Sequence, residues 1–149
     1  MLARYDDKII FHLCASIRDQ ANQLIVNLLT EHGVTDVLPA HGAVLNALFE
    51  QSPLPMSKLG QIIGRRKNTV TSLIKTLEER GYCARASHST DGRVQLIELT
   101  AKGQALRPVQ EEISQKMLGQ AWNKIYYSER QTCMRVLATI LDNLQTEQS

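Results

Sequence analysis

A mainly α-helical fold with one small β-hairpin is predicted by three features of the sequence. Apolar residues recur at helical spacing over most of its length. A basic helix flanked by glycines, GRRKNTVTSLIKTLEERG from Gly64 to Gly81, follows a short apolar helix. A polar tip, SHSTDGR, then separates two short β-prone runs. Helix, tight break, helix and hairpin in that order describe a winged helix-turn-helix.

The elements follow in order. Residues 5–30 read as one long helix, with Ile10, Leu13, Ile17, Ala21, Leu24 and Leu28 on a stripe that Gly33 ends. After Pro39, AHGAVLNALFEQ forms a second helix with Val44, Leu45, Leu48 and Phe49 inward. SPLP at 52–55 breaks the chain, and Pro55 suits the first turn of a third helix over 56–63. That helix buries Leu59, Ile62 and Ile63 and stops at Gly64. The basic helix spans 67–80, buries Val70, Leu73, Ile74 and Leu77, and is capped by Gly81.

Residues 82–86 and 94–99 make the hairpin, with Asp91-Gly92 as turn chemistry and Ile97 and Leu99 on one face. Thr100 caps a helix from Ala101 that carries Leu106, Val109, Ile113 and Met117 toward Trp122 and Ile125. Ser128-Glu-Arg-Gln131 opens the last helix as a capping box, ahead of Cys133, Val136, Leu137, Ile140, Leu141 and Leu144. The expected organisation is an N-terminal dimerisation helix (1–35), a winged module (38–100) and C-terminal dimerisation helices (101–149). The long end helices have more apolar surface than the small module can cover. Packing on each other across a two-fold axis is the simplest use, and a monomeric bundle is the alternative.

Composition narrows the function. The 149 residues are 43% apolar, and no apolar run approaches the ~18 residues of a membrane span. Asp6, Asp7 and Lys8 interrupt any signal-like stretch, so no cleavable leader is expected. Cys14, Cys83 and Cys133 are odd in number and widely spaced. They suggest no disulfide framework and no thiolate metal site, and a reducing cytoplasm fits. Net charge is only +2, but Lys58 to Arg93 holds 8 Lys/Arg against 3 Asp/Glu, or +5, while the remainder holds 9 against 12, or −3. Positive charge concentrated on one module points to nucleic acid.

No nucleophile–base pair, glycine-rich phosphate loop or paired-carboxylate pattern is present, so neither an enzyme nor a cofactor is expected. Histidines 12, 32, 41 and 88 lack ligand spacing, and no metal is expected. His32 and His41 are expected as a polar loop pair near Asp36 or Glu31, and Cys14 as a buried structural thiol. Trp122, Tyr126 and Tyr127 fit dimer core or surface packing.

The segments HGAVLNAL, LGQIIGRRKNTVTSLIKTLEERGY, the tip DGR and IELTAKG, in this order and spacing, resemble the winged-helix MarR regulators of bacteria. The resemblance covers nearly the whole chain and is strongest from Leu38 to Gly103. It implies an obligate homodimer, joined by the end helices, that binds double-stranded DNA with one helix in the major groove and a wing at the minor groove. Thr69, Val70 and Thr71 match the family's TVT, with Val70 in the core. Arg93 matches the wing arginine, and Asp91 the acidic residue that helps hold the wing.

The roles expected by reach are these. Arg65, Arg66 and Lys67 anchor phosphates, Asn68, Thr69, Thr71 and Ser72 face base edges, and Lys75 meets backbone. Arg93 enters a narrow A/T-rich minor groove. Two departures from the family are Gly92, where a second wing arginine is common, and Arg65-Arg66 in place of a small apolar residue and a capping serine. Asn68 is expected to take over that cap. The resemblance also implies a small aromatic or phenolic effector. A thiol sensor through Cys14, and a dimeric protein-interaction module with DNA binding lost, are the alternative functions.

Overall fold

The computed structural model describes residues 6–86, 90 and 92–146. Asp91 and His88, both singled out above, lie outside the described residues. The chain divides into two compact units after Ser114. In the first, a 3-10 turn (Asp7–Ile9) leads into α1 (Ile10–Glu31), α2 (Pro39–Glu50), β1 (Leu54–Pro55), α3 (Met56–Ile63) and α4 (Lys67–Glu79). Strands β2 (Cys83–Ala86) and β3 (Leu96–Leu99), the short helix α5 (Ala101–Ala105) and the first turns of α6 (Arg107–Ala121) follow. The second unit holds the rest of α6 and α7 (Tyr127–Thr146).

The core of the first unit gathers one face from each element. Val44, Leu45, Leu48, Leu54, Leu59, Val70, Ile74, Leu77 and Ile97 are all essentially inaccessible to solvent. Ile97 lies on the predicted strand face, whereas Leu54 comes from the segment read only as a break. The helical ones fall on the predicted stripes, because a helix sealed along i, i+3, i+4 must present those positions together. Ile62 is the exception, at 52% exposed. In an eight-residue helix the buried stripe runs through Leu59 and Ile63, and Ile62 is turned about 100° away from Ile63.

Sequence reasoning missed two boundaries. The sheet has three strands in the order β1-β3-β2, with Leu54 opposite Ile97 and Pro55 opposite Leu96. A two-residue strand shows no alternation, and Pro55 is tolerated there because it lies on an edge strand. The helix expected to run from Ala101 to Ile125 breaks at Leu106, where α5 ends and α6 begins. Pro108 explains the break: it has no N–H to donate, and its ring would clash with the Gln104 carbonyl.

Other caps differ from expectation. The last helix starts at Tyr127, and Glu129 reaches back to accept from Tyr126 N–H at 2.8 Å, so Ser128 is not the cap. In that same unit Arg130 donates to Ile125 O and Trp122 O, closing the end of α6. Helix α4 has extended Arg66 at its N-cap with no side-chain cap bond, so Asn68 does not cap it. At its far end Gly81 takes φ +80°, Gly81 N–H donates to Glu78 O, and Tyr82 N–H donates to Leu77 O, which is a Schellman closure.

The two histidines do not form the expected loop pair. His32 sits at the C-cap of α1 and contacts Leu28 O and, at 3.0 Å, the Glu112 carboxylate. His41 is buried within α2, where its Nδ1 accepts from Leu38 N–H at 3.0 Å. That bond needs the neutral ring. Burial and nearby Arg80 hold the His41 pKa below its ordinary value of 6.5. With the folded pKa depressed, the His41 contribution is fully present above pH 6.5 and is lost as pH falls through the folded value. His41→Asn keeps an acceptor for Leu38 and should flatten the stability–pH curve between pH 7 and 5, measured by urea melts. Superimposable wild-type and variant curves would refute this.

Candidate nucleic-acid interface

Helix α4 is positioned at both ends by glycines in the left-handed region. Gly64 (φ +64°) ends α3 and turns the chain into Arg65-Arg66, and Gly81 ends α4. Val70, Ile74 and Leu77 fix its rotation by burying one face. The consequence is geometric: Lys67, Asn68, Thr69, Thr71, Ser72 and Lys75 are all exposed, as are Arg65 and Arg66. Because no side chain caps α4, its first N–H groups remain at the same end as these three cations.

The hydroxyls on this helix are partly occupied. Thr71 Oγ1 donates to Lys67 O at 2.8 Å, and Thr76 Oγ1 to Ser72 O at 3.1 Å. Lys75 lies 4.0 Å from Glu79, one turn further along. Arg93 is exposed in the loop that leads into β3. A recess of about 730 Å³ brings Arg65, Lys67, Thr71 and Arg93 together, floored by Val70 and Met56. Ser57, Gln61 and Gln95 line it too. Sequence reasoning missed these three, because only folding brings the start of α3 and the foot of β3 beside α4. Asn68, Thr69, Ser72 and Lys75 lie outside that recess, on the exposed face of the helix.

A polar cluster fixes the trailing end of α4. Tyr82 donates to Asp36 Oδ1 at 2.6 Å, and Arg80 donates to Asp36 O. Lys102 donates to Arg80 O at 2.7 Å, with its Nζ 4.3 Å from the Tyr82 ring centre. The Tyr82 hydrogen bond, aided by Lys102 and Arg80, holds the Asp36 carboxyl below its usual range. Burial and the Asp36 contact push the Tyr82 hydroxyl up to about 12.

Among the cysteines, Cys83 is buried, and burial with nearby Glu78 pushes its thiol up to about 11, so it is a core residue. Cys14 and Cys133 are exposed in the single chain. Cys14 is therefore not the buried thiol expected, because the first half of α1 projects polar and apolar residues alike to solvent. Among the described residues no group of three or more His, Cys, Asp or Glu is placed to hold a metal. No helix among them is long and apolar enough to cross a membrane.

The model of the MarR family matches residues 39–94, which include every exposed candidate from Arg65 to Arg93. The chain belongs to the MarR family. Over 102 residues it is 32% identical to the HTH-type transcriptional regulator SarZ of Staphylococcus aureus (strain USA300). That match covers 68% of this chain and 63% of SarZ, so it spans less than two thirds of the relative's length. A probable transcriptional regulator from Pseudomonas aeruginosa superposes with a TM-score of 0.78 at 26% identity, covering 92% of this chain and 99% of that one. PcaV from Streptomyces coelicolor, solved in complex with its natural ligand, shares the fold. Its TM-score is 0.81 at 20% identity, covering 95% of this chain and 98% of PcaV. The MarR winged helix accounts for the third strand as well as the hairpin.

Proposed function

We propose that this protein is a sequence-specific double-stranded-DNA-binding transcriptional regulator, acting as a homodimer on a pseudo-palindromic operator. One observation carries the reading: α4 seals its apolar stripe while every polar residue of its leading turns faces solvent, beside Arg65, Arg66 and Arg93. Arg65, Arg66 and Lys67 are assigned to phosphates, and Asn68, Thr69, Thr71 and Ser72 to base edges. Lys75 is assigned to backbone and Arg93 to the minor groove.

The homodimer is supported by apolar surface that a lone chain leaves open. Phe11 and Ile17 in the first unit are 61% and 60% exposed, and Leu118, Met134, Leu141 and Leu144 in the second are also exposed. Residues of this kind, in number, mark a surface that another chain covers. Two copies imply half-sites about one helical turn apart, ~34–36 Å. Repression, relieved by a small aromatic or phenolic effector, completes the proposal, in keeping with the ligand-bound relative in fold. Such an effector acts only by binding one spacing of the two reading heads better than another.

The test is a titration of the full chain against the duplex upstream of its own gene and a scrambled duplex, at two salt concentrations. The expected result is tighter binding to the upstream duplex with a steep salt dependence. Thr71→Ala should relax the preference at particular base pairs by ~1–3 kcal/mol. Absence of binding to either duplex at low salt would refute the proposal and favour a protein-interaction module.

A further inference from the structure

The root of the wing is held from two sides. On one side Met56 N–H donates to Gln95 O at 2.9 Å, fastening the chain just before β3 to the start of α3. On the other side the contact runs through side chains. Arg85, on β2, donates from Nη1 to Gln95 Oε1 and from Nε to Glu78 Oε2, the latter at 3.3 Å. Glu78 lies in the last turn of α4, and Gln95 lies two residues beyond Arg93. One guanidinium thus spans the reading helix and the base of the wing.

We propose that Arg85 is a positioning residue that sets where Arg93 stands relative to α4, and so determines how the protein discriminates between sequences flanking its half-sites. The inference rests on the DNA-binding reading above. Three physical points support it. A guanidinium carries donors in one rigid plane, so it can join two acceptors on different elements in a single geometry, which a lysine ammonium cannot. The side chains of Arg85 and Glu78 are 40% and 35% exposed, and an ion pair that open to water contributes little to stability. The β2–β3 ladder, Cys83–Leu99 through Ala86–Leu96, keeps the strands paired whatever residue 85 is. The Arg85 fork therefore acts on the placement of the wing's foot, together with the Met56–Gln95 backbone bond on the other side. An arginine in a minor groove is sensitive to such placement, because groove width varies with A/T content.

The test compares two duplexes that share the sequence upstream of the gene and differ only in A/T-rich or G/C-rich flanks. Wild type, Arg85→Lys, Arg85→Ala, Glu78→Ala, Arg93→Ala and Arg85→Ala/Arg93→Ala are titrated by fluorescence anisotropy, with thermal melts alongside. Arg85→Lys, Arg85→Ala and Glu78→Ala should each cut the A/T-over-G/C affinity ratio by about threefold or more, as expected for residues coupled in one network. Melting temperatures should barely move. Arg85→Ala should add nothing in the Arg93→Ala background. Glu78→Ala is a stringent arm, because removing an acid would otherwise strengthen DNA binding generally.

An unchanged ratio in Arg85→Ala, or additive effects in the double variant, would overturn the inference. So would a ratio preserved in Arg85→Lys while Arg85→Ala weakens both duplexes equally with a shallower salt slope, since that is the signature of a direct phosphate contact. A wild type that binds both duplexes equally well also overturns it, with the DNA reading intact. Failure of the wild type to bind either duplex removes the DNA reading itself.

Discussion

Gly103→Ala is expected to destabilise the fold by about 3 kcal/mol, at the upper end of what overpacking a core costs. Gly103 is buried in α5, and a Cβ there would lie 2.1 Å from Tyr82 O and 2.9 Å from Leu99 Cδ2. The first of those atoms is backbone and cannot swing away. It also accepts from Thr100 N–H at 3.2 Å, while the Thr100 hydroxyl donates to Gly81 O and accepts from Gly103 N–H. A methyl group at 103 therefore pushes against the segment that closes α4 and starts β2. Urea or thermal melts followed by circular dichroism would read the change, roughly a 10 °C fall in Tm for a chain of this length. A loss below ~1 kcal/mol would show that α5 shifts freely against Tyr82 and that the close approach is not a constraint.

The largest expected effect on DNA binding comes from the combined variant Arg65→Ala/Arg66→Ala/Lys67→Ala. On the proposed reading each cation meets one phosphate, and two protomers double the number. Each lost contact should flatten the dependence of log K on log salt by about one unit. Affinity near ~0.15 M salt should fall about 100-fold or more, for all sequences alike. The folded state should be little altered, because all three side chains are exposed. If the salt slope stayed at the wild-type value while affinity fell, these residues would not be phosphate contacts. Preference for the upstream duplex over a scrambled one should persist in the weakened protein, since the groups assigned to base edges are untouched.

The parts of this molecule that were legible in its sequence are those governed by near neighbours. The stripe Val70–Ile74–Leu77 follows from helical periodicity, and Gly64 and Gly81 mark the ends of α3 and α4 because a left-handed backbone favours glycine. Once that stripe is inward, the exposure of Lys67, Asn68, Thr69, Thr71 and Ser72 follows. What stayed hidden depends on distant partners. Tyr82 and Asp36 are 46 residues apart, and nothing in either local pattern announces their hydrogen bond. His41 falls in the predicted second helix, but nothing in the local pattern shows that its ring accepts from the Leu38 N–H in place of pairing with His32. The Arg85 fork joins three segments that only tertiary structure brings together. Pro108 was a different failure: the signal was present in the sequence, and the long apolar period around it outweighed it.

The bond from the Thr71 hydroxyl to the Lys67 carbonyl has a consequence for how this surface would distinguish nucleic acids. With its hydrogen so engaged, Thr71 offers an opposing base only lone pairs and a methyl group. A methyl group on a helix finds its best counterpart in the 5-methyl of thymine, which uracil lacks. Replacing individual thymines of the bound site by deoxyuridine would thus remove one carbon from the interface at a time, and would map where this helix lies without altering the protein at all.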